Sequence, residues 1–260
     1  GYRTGRVLAH GFGPDPQTPE FTLLSGDLTD AYSKKVQHVT RSFVFLNLHD
    51  RKVPAALIVF DRVVSADPNF RKYWLLHTQD EPRIAGASAI IDCTRHDQRG
   101  RLTLDVLLPA DRNGQLTSVG GPGKEYWVFG TNYANDIEPR QLERSSLEPG
   151  EWRIELSPTA ASREDLFLTV MQVTDHTAPG RLPVRLVDLR DRAGACIERP
   201  DGARLVLFRR DGRRSSGPVT SDVPGPGKIG VLVTDLTPGA WRARRANESN
   251  SNEIGVSPEL

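Results

Sequence analysis

The sequence predicts an all-β protein, a large antiparallel β-sandwich followed by a smaller β-sandwich or sheet domain. Three observations carry that prediction. Short runs rich in Val, Ile, Leu, Phe, Tyr, Trp and Thr recur along the chain, the residue types that suit a pleated, half-buried surface. Gly, Pro, Asn and Asp clusters separate them at short intervals. No segment keeps a helical period long enough for a long helix.

The elements follow in order. Arg6-Val7-Leu8-Ala9-His10 opens as a strand. Arg41–Leu48 and Ala55–Ser65 are strongly apolar runs, followed by Tyr73–His77, Ile84–Asp92, Arg101–Leu108 and Glu125–Asn132. Trp152–Ser157, Leu166–Val173, Leu182–Leu189, Ala203–Arg210, Lys228–Asp235 and Trp241–Arg245 continue the pattern. Asn113-Gly114 and Asp211-Gly212 favour hairpins, because Gly tolerates the positive φ of tight turns. The best helical candidate is a turn or two within Asp27–Lys35, with Ser25 or Thr29 as cap, and Ser162–Asp165 suits another single turn. One phrase repeats: Leu147-Glu148-Pro149-Gly150-Glu151-Trp152-Arg153 and Leu236-Thr237-Pro238-Gly239-Ala240-Trp241-Arg242 share L-x-P-G-x-W-R. Pro-Gly suits the centre of a type II turn, after which Trp enters a strand. A sugar-stacking role for such Trp residues competes with plain core packing, which their apolar strands favour. A boundary near Thr177-Ala178-Pro179-Gly180 divides a central sandwich, 1–178, from a smaller C-terminal β domain, 179–260, that reads as truncated.

The composition is that of a folded chain: 260 residues, 37% hydrophobic and 26% charged. A net charge of +1 implies neither nucleic acid nor an anionic membrane as partner. No run approaches the ~20 apolar residues of a membrane-spanning helix. Arg outnumbers Lys by 28 to 6. That excess suits bidentate binding of carboxylate or sulfate, although GC-rich coding is the plainer explanation. Cys93 and Cys196 form no framework and no C-x-x-C pair; whether they bond to each other is open. The chain lacks a leader and an initial Met, and both ends read as trimmed, so a missing leader says nothing of location.

Most chemical motifs fall by elimination. There is no G-x-S-x-G elbow. Gly120-Gly121-Pro122-Gly123-Lys124 lacks Walker spacing and reads as a hairpin loop. Arg209-Arg210-Asp211-Gly212-Arg213-Arg214 reads as a charged hairpin tip. Asn132, Asn135 and Asp136 offer oxygens for calcium without an ordered spacing. Asn247-Glu248-Ser249 is a formal glycosylation sequon. What remains is His10, Asp27 and His77. Zinc accepts two imidazoles and a carboxylate and keeps a fourth position open. Sequence separation alone gives no metal signature, and a satisfied polar His at a strand end is the plainer reading.

The order of several phrases goes further. Gly26-Asp27-Leu28-Thr29-Asp30-Ala31-Tyr32-Ser33, Arg41-Ser42-Phe43-Val44-Phe45-Leu46, Val59-Phe60-Asp61-Arg62-Val63 and Trp74-Leu75-Leu76-His77-Thr78 succeed one another. Leu107-Leu108-Pro109, Gly150-Glu151-Trp152-Arg153 and Asp235-Leu236-Thr237-Pro238-Gly239-Ala240-Trp241 follow. In this order the chain resembles the β-sandwich and C-terminal sheet of the heparinase II/III-like polysaccharide lyases. The resemblance implies a bacterial enzyme, periplasmic or secreted, that cleaves an acidic, uronic-acid polysaccharide such as a glycosaminoglycan by β-elimination. It implies a partner N-terminal α/α toroid that supplies the Tyr base, and hence an isolated chain without lyase activity. In members that hold zinc, two His and one Asp in the sandwich bind it, and His10, Asp27 and His77 match by position. The family places two nearby His residues at the start of this region, whereas here position 8 is Leu. His10 is then either a zinc ligand or the catalytic residue that neutralises the substrate carboxylate. Tyr32 reads as a packing residue and not as a substitute base. The alternatives are a non-catalytic glycan-binding module and a purely structural sandwich; an open edge strand would also suit a homodimer.

Overall fold

A computed structural model describes residues 4–93, 99–110, 113–133, 151–178, 180–223 and 227–245, together with the backbone of 252–256. It is all-β, as the patterning predicts, and among the described residues the helical element with assigned bounds is a 3-10 turn over Thr29–Ala31. Residues 135–136, 147–150, 179 and 247–249 of the phrases above lie outside the described residues.

The frame is an eight-stranded antiparallel sheet. It comprises β1 (Arg6–Gly13), β2 (Phe21–Asp27), β3 (Val36–Asn47), β4 (Ala55–Ser65), β6 (Arg83–Ala85), β7 (Ser88–Cys93), β8 (Gly100–Leu108) and β13 (Glu164–Asp175), in the order β1-β2-β3-β4-β13-β8-β7-β6. A three-stranded sheet is built from β5 (Trp74–Thr78), β12 (Trp152–Pro158) and β9 (Gly114–Gly120), in that order. The ladder of β10 (Trp127–Val128) and β11 (Thr131–Asn132) closes a loop beside it. A four-stranded sheet then follows the chain: β14 (Val184–Asp188), β15 (Arg192–Arg199), β16 (Gly202–Arg209) and β17 (Lys228–Val233). A last hairpin pairs β18 (Gly239–Ala243) with β19 (Asn252–Val256).

These sheets stack as three layers. Alternate residues of a strand face opposite sides, and the large sheet is apolar on both. Ile58, Phe60, Leu168 and Val170 share one cluster with Ala195, Ile197, Val206 and Phe208 of the four-stranded sheet. Val59, Phe167 and Met171 point the other way and join Trp74, Ile154 and Leu156 of the three-stranded sheet. Strands buried on both faces read as near-continuous apolar runs, which is why Ala55–Ser65 and Leu166–Val173 stand out in the sequence. Phe60 and Phe208 stack between layers, ring centres 4.9 Å apart.

The step from the large sheet to the four-stranded one lies between β13 and β14, and it is tied down. The Gln172 side chain is fully buried on the face of Leu168 and Val170. Its amide donates to the Leu182 carbonyl (2.9 Å) and accepts from the Leu182 N–H (3.0 Å). Arg181 pairs with Asp105 at 2.8 Å. The two regions thus share a core.

Some local readings change. Asn113-Gly114 does not close a hairpin but carries the chain from β8 in the large sheet to β9 in the small one. Asp211-Gly212 is a tight turn, with Gly212 at φ 65°, but not a hairpin tip. β17 pairs parallel to β16, so the chain must first cross the sheet, and Val219 and Val223 cover its outer face around Cys196 and Leu205. Ser162–Asp165 is not helical; β13 has begun by Glu164. Strands β2, β9 and β15 were not separately legible, because Ser, Gly and Ala dilute their apolar pattern. Gly202 suits the β15–β16 turn: φ is 149°, and a Cβ there would meet the Lys228 carbonyl at 1.9 Å. Both cysteines are free. Trp74 is core, whereas Trp241 is half-buried and donates from Nε1 to the Thr237 carbonyl of its own Pro-Gly turn (2.9 Å).

The strength of these ties is measurable. Gln172→Leu keeps the volume but unpairs the Leu182 backbone, and should lower unfolding free energy in urea by about 2 kcal/mol. At the β16 turn, Arg209 grips both oxygens of Asp211 (3.0 and 2.9 Å). This bond, above all other causes, holds the Asp211 carboxyl down at about 2, against an ordinary 3.8. A depressed folded-state pKa stabilises above the unfolded value, and that contribution is lost as pH falls through the folded one. The melting-temperature gap between wild type and Asp211→Asn should therefore be small but present at pH 7, since the carboxylate is 43% exposed. It should close between pH about 4 and about 2.

Candidate functional site

The three-stranded sheet covers only part of the large sheet, and the face of β1–β3 beside it lies open. Cross-strand register sets the residues of that face in rows. His10 stands opposite Leu24, and Leu24 opposite Phe43. In the next row Phe12 faces Thr22 and Thr22 faces Phe45. Phe12 (56%), Leu24 (44%) and Phe45 (47%) are all exposed, an unusual density of large apolar groups for a free surface. On the other side of the His10 row, Gly26 faces Arg41, which faces Asp61. With strands 4.7–4.9 Å apart and a two-residue offset along them, His10 and Arg41 lie roughly 12 Å from each other.

Arg41 is the fixed charge of this face. Its Nε and Nη2 donate to the two oxygens of Asp61 at 2.8 and 2.6 Å, and its guanidinium lies 5.8 Å from the Phe43 ring centre. Asp61 is buried, with its side chain only 4% exposed. Burial pushes the Asp61 carboxyl up, and the Arg41 bonds pull against that. The same bonds hold the Arg41 guanidinium firmly protonated, with a smaller contribution from Tyr32. Tyr32 does not pack as expected: it is 54% exposed, just after the 3-10 turn.

The sequence-selected trio is placed as follows. His10 is exposed on the edge strand β1, on the open face. Asp27 ends β2 with the alternation of Leu23, which packs toward the four-stranded sheet, so it points to the opposite face. Its Oδ1 accepts from the Thr29 N–H (2.9 Å) and hydroxyl (2.6 Å), and Oδ2 lies 3.7 Å from Arg6. His77 belongs to β5, opposite Arg153 of β12, and alternates out of phase with buried Trp74 and Thr78. It therefore faces away from the large sheet. The structure does not bring these three together, and among the described residues no group of three His, Cys, Asp or Glu side chains could hold a metal. The residues present do not fit a zinc ion in this arrangement.

Asp27 has a different neighbour, His38. The Thr29 hydroxyl is the main cause that holds the Asp27 carboxyl below its ordinary range; burial opposes it, and the Thr29 N–H, His38 and Arg6 add to it. A strand read from Arg41 leaves His38 in a loop. Extending it back to Val36 through Val39 would have placed His38 on the face of Thr40, which pairs with Asp27. Asn132, the one described member of the calcium set, is engaged locally with Tyr126 and Glu125.

The Arg41–Asp61 pair yields a prediction. Arg41→Ala leaves Asp61 buried and unpaired and should cost about 3 kcal/mol in chemical denaturation. Adding Asp61→Asn should recover part of that loss.

Comparison with known proteins bears on the C-terminal part most directly. Residues 186–259 match the family model of the heparinase II C-terminal domain. No curated protein matches the sequence. Among solved structures, the heparan sulfate lyase HepC from Pedobacter heparinus aligns with 14% identity and a TM-score of 0.49, covering 79% of this chain and 28% of that one. A structure of heparinase III aligns with 9% identity and a TM-score of 0.47, covering 79% and 27%. The chain therefore spans little more than a quarter of those proteins' length. The family likeness therefore lies in the region from Leu186 within β14 onward, which resembles the heparinase II C-terminal domain.

Proposed function

We propose that this chain is the β-sheet portion of a polysaccharide lyase that cleaves an acidic, uronic-acid polymer by β-elimination. The observation that carries the reading is the match of 186–259 to the heparinase II C-terminal domain. The open face of β1–β3 supports it: an apolar floor, the exposed His10 and a rigid guanidinium border one another there. The helical toroid that completes such enzymes would supply the base, and the setting would be periplasmic or secreted.

The chemistry states what such a face must do. A base removes the C5 proton of the uronate, the C4–O bond breaks, a C4–C5 double bond forms, and the departing oxygen takes a proton. The C5 proton is too weakly acidic until the neighbouring carboxylate is offset by positive charge or hydrogen-bond donors. His10 is the residue of this chain assigned to that offset. Arg41, locked by Asp61, presents a rigidly oriented guanidinium beside it without needing to reorganise, its charge partly offset by that carboxylate. Leu24, Phe43 and Phe45 would exclude water from the joined surfaces and strengthen both effects.

A non-catalytic glycan-binding module is the second reading, and the separation of His10, Asp27 and His77 favours it. The experiment follows ultraviolet absorbance of unsaturated uronate ends on heparan sulfate, heparin and alginate. The isolated chain should be inert and the chain joined to its toroid active. His10→Ala in the joined protein should lower kcat about 100-fold or more. Joined protein that binds these glycans yet cleaves none would sink the lyase reading in favour of the binding module.

A further inference from the structure

A cleft of about 450 Å³ lies at the far end of the three-stranded sheet. That volume is within the range of small-molecule sites. One wall is the chain leading into β5, with Phe70, Arg71 and Lys72; the other is the turn from β12 to β13, with Pro158 and Ser162. The cleft is reached from Trp74 and Leu156, which pair with each other, whereas His77 pairs with Arg153 further along the same ladder.

Two cations and one anion line the cleft. Lys72 is spent: its Nζ lies 2.7 Å from Asp165 and donates to the Ser162 carbonyl. Arg71 is not neutralised in this way. Its Nε donates to the Ser157 hydroxyl (2.9 Å), its Nη2 donates to the Gln115 side-chain carbonyl (3.2 Å), and its guanidinium sits over the Tyr73 ring at 5.1 Å. All three partners are uncharged, so among the described residues Arg71 is held in place without an ion pair. Its bond uses the oxygen of the exposed Gln115 amide, whose NH₂ end is chemically a second donor for an anion. Pro158 adds an apolar face suited to the C–H side of a sugar ring, and Phe70 adds the ring face that the Lys35 ammonium, 5.4 Å from its centre, does not cover.

We propose that this cleft is a separate binding site for an anionic sugar unit, with Arg71 and Gln115 recognising its carboxylate or sulfate. The proposal rests on the acidic-glycan reading for its ligand class and on the cleft's own geometry for its place. In the lyase, such a site would hold the polymer at a distance from the reacting bond, so that binding energy from a remote unit is used for positioning.

The test titrates the 260-residue chain with methyl glucuronide, glucose 6-sulfate and, as neutral control, methyl glucoside, following backbone amide resonances by NMR. At least one anionic sugar should shift the amides of Arg71, Gln115 and Ser162, while the glucoside binds much more weakly. Arg71→Ala should weaken that binding about tenfold, and the surface variant Gln115→Ala should weaken it less. The tighter of the two anionic sugars identifies the recognised group. Equal binding of glucoside, no shifts in the cleft, or affinity unchanged in both variants would overturn the proposal. Shifts at His10 and Arg41 alone would also overturn it and would leave the lyase reading standing. Cleft binding in a joined protein without lyase activity would keep this site and remove that reading.

Discussion

The pairing of β4 with β13 is the constraint on which the rest of the molecule hangs. Ten successive residues of each strand pair, from Val64 with Glu164 to Ala55 with Val173. About a hundred residues of chain separate the partners. Closing so long a loop costs entropy before any contact repays it, and the repayment comes from burial on both faces. Ile58, Phe60, Leu168 and Val170 anchor one layer; Val59, Phe167 and Met171 anchor the other. A slip of one residue would exchange the two faces and set Gln172 and Asp61 among the wrong neighbours.

That double burial also explains how polar groups are used inside. Gln172 would be costly in the core without partners, yet it captures both backbone groups of Leu182 and so aims the chain toward β14. Asp61 carries the same liability and meets it with Arg41. One polar residue on each face of the central strands therefore sets a direction. Gln172 orients the C-terminal sheet, and Asp61 fixes a charge beside the open face.

The covering sheets divide the surface by chemistry. Where the three-stranded sheet ends, His10, Leu24, Phe12 and Phe45 stand on an exposed apolar floor, the kind of surface that another protein domain or a large ligand covers. At the sheet's far end, Arg71 sits in a cleft, held by Ser157, Gln115 and the Tyr73 ring. On the opposite side of the large sheet, Asp27 and His38 are absorbed into the local turn around Thr29.

The all-β class and most of the strands were legible in the sequence, because short apolar runs, β-branched content and turn residues are local properties; that Ala55–Ser65 and Leu166–Val173 are buried on both faces came from the structure. The resemblance to heparinase II/III-like lyases was legible as an order of phrases, and the family match falls on the region from β14 onward. Assembly was not legible. Asn113-Gly114 and Asp211-Gly212 have hairpin chemistry, but whether a turn joins paired strands depends on which sheet the next strand enters. His10, Asp27 and His77 suit zinc by type, yet the face each occupies depends on residue parity within its strand and on the sheet that owns it. Arg71 looked like any surface arginine until Ser157 and Gln115, 86 and 44 residues away in the chain, came to hold it. Local sequence determined which segments are strands. Only the tertiary structure decided which side chains share a face, because that choice is made by long-range pairing and by the burial that repays it.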